Sequence, residues 1–450
     1  MRLPRILIAG TSSGSGKTTA TCALLSLLKR RGMNVKACKC GPDYIDPMFH
    51  KRVSGIPCTN LDPFFCDDDL LQYLLSRDNR ESITVIEGVM GYYDGTSQGG
   101  TENSTFTVSD KTGTPVILVV DAKGSASSLL AVIEGFLHFV PESHIRGILF
   151  NRMTQKSYDS IKAIMQNRFG ESLIPVGFIP VLPEECHVPS RHLGLVTAAE
   201  IDDLTERLDK TADLCGPAVD IDSILAIAGS ASELEFTGPA IHRSKPINLA
   251  VAYDNAFCFY YDSTLKMFEE MGADIRFFSP LADEEVPADS HGLLIGGGYP
   301  ELYSDRLESN ICSKESILRA ISSGMPTIAE CGGFQYLGKE LDGRKMCGVL
   351  PHSSVRTNHL IRFGYMTLTS RKAGLLGPAG TELKAHEFHY WDSTYNGDAF
   401  TARKPDGREW ECGVLTDTLY AGYPHLFLPA CISAAEGFYK KCLSYKEHRV

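Results

Sequence analysis

Seven short, almost uninterrupted apolar runs punctuate the chain: Ile6–Ala9, Thr84–Ile86, Val116–Val120, Ile148–Phe150, Asn248–Ala252, Leu293–Ile295 and Thr327–Ala329. Each has the length of a strand and falls short of a core helix. A strand apolar on both faces has to be covered on both, as happens in a parallel sheet clothed by helices. Longer amphipathic stretches lie between the runs and predict helices over Thr18–Arg31, Ser127–Phe139, Tyr158–Arg168 and Ser263–Met271. Strand and helix alternate through both halves, so the fold class is α/β with mostly parallel sheets flanked by helices.

At 450 residues the chain exceeds one compact core and suffices for two domains. Gly238-Pro239 and Lys245-Pro246 bracket a polar segment, and a fresh apolar run follows it. We place one domain at residues 1–240 and a second at 247–450. The formal net charge of -11 argues against nucleic acid or a membrane surface as a partner, since both are anionic. The first apolar run, Ile6–Ala9, is too brief for a secretion signal or a membrane span, and the expectation is a soluble, cytoplasmic protein. Fourteen cysteines are scattered without zinc-like pairing and read as reduced, half-buried thiols, with Cys331 the exception.

The run Arg5–Ala9 leads into Gly10-Thr11-Ser12-Ser13-Gly14-Ser15-Gly16-Lys17-Thr18-Thr19 and then a helix. Glycines such as Gly14 and Gly16 let backbone N–H groups turn toward a phosphate. Lys17 offsets its charge, Thr18 can hold Mg2+, and the helix N-terminus adds a favourable dipole. This G-T-x-x-G-x-G-K-T-T form departs from the standard spacing and resembles the dethiobiotin-synthetase-like branch of P-loop proteins. Ser12 stands where the partitioning ATPases of that superfamily carry an additional lysine.

Acids recur at the ends of the neighbouring strands. Asp43 and Asp46 flank a turn in Lys39-Cys40-Gly41-Pro42-Asp43-Tyr44-Ile45-Asp46-Pro47, and Glu87 closes the run Thr84–Ile86. Such acids converge on the crevice at the carboxyl ends of parallel strands, where Mg2+ bridges phosphate oxygens. Taken alone, Asp-x-x-Asp serves equally as a turn cap.

In Gly41–Pro47, Glu87–Gly91 and Pro189–Leu195 the chain resembles the cobyrinic acid a,c-diamide synthase family. Its relatives act on hydrogenobyrinic acid or nickel sirohydrochlorin. The resemblance implies an N-terminal domain that binds ATP and Mg2+ and activates a peripheral carboxylate as an acyl phosphate. It assigns Lys17, Thr18 and Thr19 to the triphosphate, and Asp43, Asp46 and Glu87 to metal or substrate. Asn151 resembles the base-reading asparagine of this branch. Arg191 suits phosphate or a macrocycle carboxylate, and Lys39 is either a stabiliser of developing charge or a solvated lysine. The segment Gly99–Asp110 departs from the family's usual order.

In the second half, Thr327–Ala329 runs through Glu330 into Cys331-Gly332-Gly333 and a short helix. A cysteine on a strand-to-helix turn is an exposed nucleophile, and the helix N-terminus is expected to lower its thiol pKa. Gly332 N–H would stabilise an oxyanion, and the loop Gly296–Glu301 offers a second donor at Gly298. These blocks resemble the cobyrinate-type branch of class I glutamine amidotransferases. His425 in Tyr423-Pro424-His425-Leu426-Phe427 fits the base, although Phe427 stands where standard members have glutamate. Another group or a backbone carbonyl then has to orient His425. His386-Glu387-Phe388-His389 falls one residue short of a zinc signature and is assigned to substrate or packing.

The combined reading is an ATP- and L-glutamine-dependent amidation of the a and c carboxylates of cobyrinate. The same chemistry on nickel sirohydrochlorin or hydrogenobyrinate is the alternative, and the remote one is a partitioning or signalling ATPase with a C-terminal binding module. Small molecules are the expected partners, and the chain is expected as a monomer or a homodimer.

Overall fold

The computed structural model describes residues 1–77, 83–96, 99–187, 190–191, 194–195 and 201–448, with backbone alone at 190–191 and 194–195. The chain divides into two compact units, Met1–Gly238 and Pro239–Val450. Both are α/β, as the apolar runs predict. Among the described residues no helix is long and apolar enough to cross a membrane.

The first unit is built on a seven-stranded sheet in the order Thr59–Leu61, Val35–Cys40, Ile83–Glu87, Arg5–Gly10, Val116–Asp121, Ile145–Asn151, Ile174–Ile179. Every pair is parallel. Ile6, Leu7, Ile117, Leu118 and Ile148 are completely buried, which explains why the runs carry no polar alternation. Each such side chain contributes roughly 1.5–3 kcal/mol by leaving water. The strand order reverses beside Arg5–Gly10, whose two neighbours, Ile83–Glu87 and Val116–Asp121, lie on opposite sides. The carboxyl ends of Arg5–Gly10 and Ile83–Glu87 therefore open onto the crevice where α/β folds bind ligands.

The second unit has a six-stranded sheet in the order Ala273–Phe278, Ile247–Ala252, Gly292–Ile295, Thr327–Glu330, Leu419–Gly422, Val414–Leu415. Only the last pair is antiparallel. Alternate residues serve two cores. Leu249, Val251, Leu294 and Ile328 meet Met267, Phe268 and Phe438 on one face. On the other face Ala250, Leu293, Ile295 and Ala329 meet Ile317, Phe334 and Leu337.

A second sheet in this unit centres on Ser353–Ser370 paired antiparallel with Glu382–Ser393. Fully apolar runs do not reveal it, because its strands alternate. Met366 and Leu368 are buried, whereas Tyr365 and Thr367, which alternate with them, are half-buried. The register shifts twice between Arg356 and Gly364, and such irregularities bend a strand and re-aim its side chains. The short strand His425–Leu426 completes the sheet by pairing with Ala385 and His386.

Candidate active sites

In the first unit the turn from Gly10 to Lys17 begins the helix Lys17–Arg30. Gly16 has φ +99°, a left-handed conformation, and a Cβ there would lie 2.3 Å from Asn151 Nδ2. Only glycine meets both demands. Asn151 Nδ2 donates to Ser15 O at 2.9 Å, tying the end of its strand to the loop. Gly14, also at positive φ (+76°), is exposed, and Thr19 is half-buried in the first helical turn. Lys17 Nζ donates to Ser12 O at 3.0 Å, curling back over the loop.

Behind the loop lies a buried ionic cluster. Thr18 Oγ1 donates to Glu87 Oε1 at 2.7 Å. Lys39 Nζ donates to the same Oε1 at 2.9 Å, to Asp46 Oδ2 at 2.5 Å and to Gly88 O at 3.1 Å. It stands 4.0 Å from Asp43 Oδ2. Lys39 is 2% exposed, so it is not a solvated lysine. Burial disfavours its charge, yet Asp46, Glu87 and Asp43 more than offset that and hold its pKa well above the ordinary value. Glu87 is likewise buried, and Lys39 together with His50 keeps it ionised. Burial and the neighbouring Asp43 push Asp46 upward. Asp43 has a second function, because its Oδ1 accepts from Ile45 N and Asp46 N at the start of the helix Ile45–Ser54.

The donors here are hard oxygens. Among the described residues no three His, Cys, Asp or Glu side chains are arranged to cage a metal. A hydroxyl beside a carboxylate, completed by phosphate oxygens and water, is instead the arrangement that Mg2+ accepts. Thr18, Glu87 and Asp46 fit that description. Arg191 belongs to the small hairpin Ser190–Arg191/Gly194–Leu195, and its side chain lies outside the described residues, as do Pro189, His192 and Leu193.

In the second unit Cys331 sits between the strand Thr327–Glu330 and the six-residue helix Gly332–Leu337, with φ 48° and ψ -102°. A non-glycine residue in such a conformation stores about 1–3 kcal/mol. The turn is held by Cys331 N donating to Gly422 O at 2.8 Å and Gln335 N donating to Cys331 O at 3.0 Å. Burial pushes the thiol well above its ordinary pKa, and Glu301 and Glu387 push it the same way. The expected lowering by a helix N-terminus is thus overturned. One short helix and the Gly332 N–H do not compensate for the loss of water around the sulfur.

His425 and Cys331 both border Gly297. A Cβ added to Gly297 would fall 3.0 Å from His425 Nε2 and 3.4 Å from Cys331 Cβ. Gly298 N lies 3.2 Å from where a Cβ on Gly332 would be, so the two expected oxyanion donors are neighbours. Phe427 is buried, its ring edge-on to Tyr261 with centroids 5.1 Å apart. What faces His425 Nδ1 is Glu330, with Oε2 at 3.7 Å. Its Oε1 accepts Leu426 N–H at 3.0 Å.

Residues 6–195 match the family described as CobQ/CobB/MinD/ParA nucleotide binding domain, and residues 248–430 the CobB/CobQ-like glutamine amidotransferase domain. The chain is also similar over its length to curated relatives. The cobyrinate a,c-diamide synthase of Listeria monocytogenes is 38% identical, with 94% of this chain and 96% of the relative covered. That of Thermoplasma volcanium is 36% identical over 100% of this chain and 99% of the relative. That of Priestia megaterium is 35% identical, covering 99% and 98%.

The chain belongs to the cobyrinate a,c-diamide synthase family.

As a member of that family with an amidotransferase domain, it is a glutamine-dependent amide-forming ligase with a nucleotide-binding half. Three features of this family member escaped the sequence reading. His50 Nε2 stands 2.6 Å from Glu87 Oε2. Its signal was the four-residue spacing from Asp46, which puts both on one helix face. Glu330 has no role on the sequence reading, although an acid directly before a candidate nucleophile is a visible cue. Around Tyr423 a polar group assembles from the antiparallel sheet. The His389 ring stacks on Tyr423 at 3.9 Å, His389 Nε2 is 3.2 Å from Glu387 Oε2, and Arg362 Nη2 donates to Asp392 Oδ1 at 2.8 Å. Nothing in the local sequence joins residues 362, 389 and 423.

Proposed function

We propose that the chain amidates the a and c carboxylates of cobyrinate, using ATP to activate each carboxylate and L-glutamine as the source of ammonia, in cobalamin biosynthesis in the cytoplasm. The Pro239–Val450 unit would act as the glutaminase and the Met1–Gly238 unit as the amide synthase. The observation that supports this reading is that His425 and Cys331 both line Gly297, whose added Cβ would lie 3.0 Å from His425 Nε2 and 3.4 Å from Cys331 Cβ.

His425 Nε2 takes the Cys331 proton as the sulfur attacks the glutamine carboxamide. Burial that raises the thiol pKa favours making that transfer part of the attack. Gly332 and Gly298 N–H groups receive the developing oxyanion. The proton on His425 passes to the leaving ammonia, and water then hydrolyses the thioester to glutamate.

A carboxylate resists amidation because its leaving group would be oxide. Phosphorylation by ATP gives an acyl phosphate, and ammonia displaces phosphate from it. Lys17 and the backbone from Gly14 to Thr19 bind the triphosphate. Asn151 Oδ1 is the atom assigned to a base amino group, while Nδ2 keeps the loop in place. Mg2+ held by Thr18, Asp46 and Glu87 would neutralise phosphate charge. Lys39, buried at the centre of the cluster, holds Asp46 and Glu87 together, while the more exposed Asp43 and Arg191 would face the substrate.

The test is amide formation on cobyrinate, counted by mass spectrometry, with ATP and either glutamine or ammonium. Cys331→Ala should lose the glutamine-dependent reaction and keep the ammonium-dependent one. Retained glutamine use would overturn the nucleophile assignment, and absence of amidated cobyrinate with both donors in the unaltered enzyme would overturn the substrate.

A further inference from the structure

Glu330 and Cys331 are adjacent, so the same stretch of chain that presents the thiol also carries a carboxylate. Glu330 ends the strand Thr327–Glu330, which pairs in parallel with Leu419–Gly422, the strand leading toward His425. One carboxylate oxygen, Oε1, is fixed by the Leu426 N–H at 3.0 Å. The other, Oε2, is 3.7 Å from His425 Nδ1. That separation is an ion-pair distance and longer than a hydrogen bond. The carboxylate is therefore anchored to the residue after the base while facing the base itself.

The usual place for an orienting acid in this kind of triad is two residues after the histidine. Phe427 occupies it, and its ring is buried against Tyr261. An acid at 427 with the same direction would enter the apolar core. Glu330 instead brings a carboxylate to 3.7 Å from His425 Nδ1. A base that accepts the thiol proton at Nε2 becomes an imidazolium, and an anion at Nδ1 stabilises it and fixes which nitrogen carries the resting proton.

We infer that Glu330 is the positioning residue of the glutaminase site, orienting His425 through Nδ1 from the position directly before the nucleophile. This rests on Cys331 as nucleophile and His425 as its base. It assigns to one turn of chain both the nucleophile and the group that prepares its base. The arrangement also ties the two mechanically, because displacement of the turn moves thiol and carboxylate together.

The experiment is steady-state glutaminase kinetics of the full chain with Glu330→Gln, alongside Cys331→Ala and His425→Ala. Glutamine at 330 can still accept the Leu426 N–H but carries no charge. The expected result is a kcat for glutamine hydrolysis lower by about 10- to 100-fold, with the glutamine KM within about twofold, as for loss of a partner acting behind a reacting group. Glu330→Ala, which also removes the anchor at Leu426, should fall at least as far. Ammonium-dependent amidation by Glu330→Gln serves as the folding control. A kcat equal to the unaltered enzyme overturns the inference. So does a parallel fall of the glutamine- and ammonium-dependent reactions, which would mark a general structural role. Retained activity in Cys331→Ala or His425→Ala would instead overturn the reading of the nucleophile and base.

Discussion

Thr18 Oγ1 and Glu87 Oε1 are joined by a 2.7 Å hydrogen bond between residues 69 positions apart. Through that contact the first turn after the phosphate loop is locked to the end of the next strand in the sheet. Lys39 and His50 meet the same carboxylate, so Glu87 is the hub of a buried network that the loop depends on.

Removing that hub should be costly. Glu87→Gln leaves Lys39 buried with one fewer anion, and breaking a buried pair by losing one partner costs about 3–5 kcal/mol. Urea unfolding followed in the Met1–Gly238 unit should show a loss of this order. A midpoint unchanged from the parent would refute the hub.

Gly297 has no room for a side chain. The added methyl of Gly297→Ala would sit 2.3 Å from His425 Cε1, and the ring has to move by about an ångström. Displacements of that size cost on the order of 10²-fold in rate. Glutaminase activity should fall accordingly while ATP binding in the other unit is unchanged. Equal glutaminase rates would show that the ring does not approach Gly297.

Reactivity of Cys331 should report its burial. The thiolate is the alkylating form, and burial followed by Glu301 and Glu387 raises the thiol pKa. Without glutamine, iodoacetamide modification of Cys331, followed by peptide mass mapping, should accelerate about tenfold per pH unit up to pH 9 with no plateau. A plateau near pH 7 would indicate a standing thiolate.

Acid should weaken the Pro239–Val450 unit. Burial lowers His386 to about 3, with His425 and Lys404 adding to the effect, and lowers His352 to about 4. An unfolded imidazole takes its proton near 6.5, so between that pH and these values the unfolded state binds more protons. Stability is therefore full above about pH 6.5 and is lost as pH falls, by up to about 1.4 kcal/mol per unit for each histidine. Unfolding free energies at pH 7, 6 and 5 measure this. His352→Phe, which keeps a ring against Phe334, should flatten the slope, and an unaltered slope would assign the effect elsewhere.

The elements legible in the sequence are those whose requirements are local. An apolar run needs cover on both faces, and the strands at Ile6, Val116, Leu293 and Thr327 follow from that. A phosphate loop needs glycine at a positive φ, and a nucleophile turn needs small residues after its cysteine. Gly16 and Cys331–Gly333 state those needs position by position. The alternating hairpin Ser353–Ser370/Glu382–Ser393 was less visible because half of each strand is not apolar.

The amino-acid order alone determined the α/β class and singled out the glycine-rich loop and Cys331 as the candidate sites. Only the folded chain decided that Lys39 is buried among acids, that His50 stands behind Glu87, that burial raises the Cys331 thiol pKa and that Glu330 faces His425. Backbone conformation is a property of a few successive residues and can be written into them. Charge interaction depends on distance through space and on the exclusion of water, and both exist only once strands far apart in the chain lie side by side.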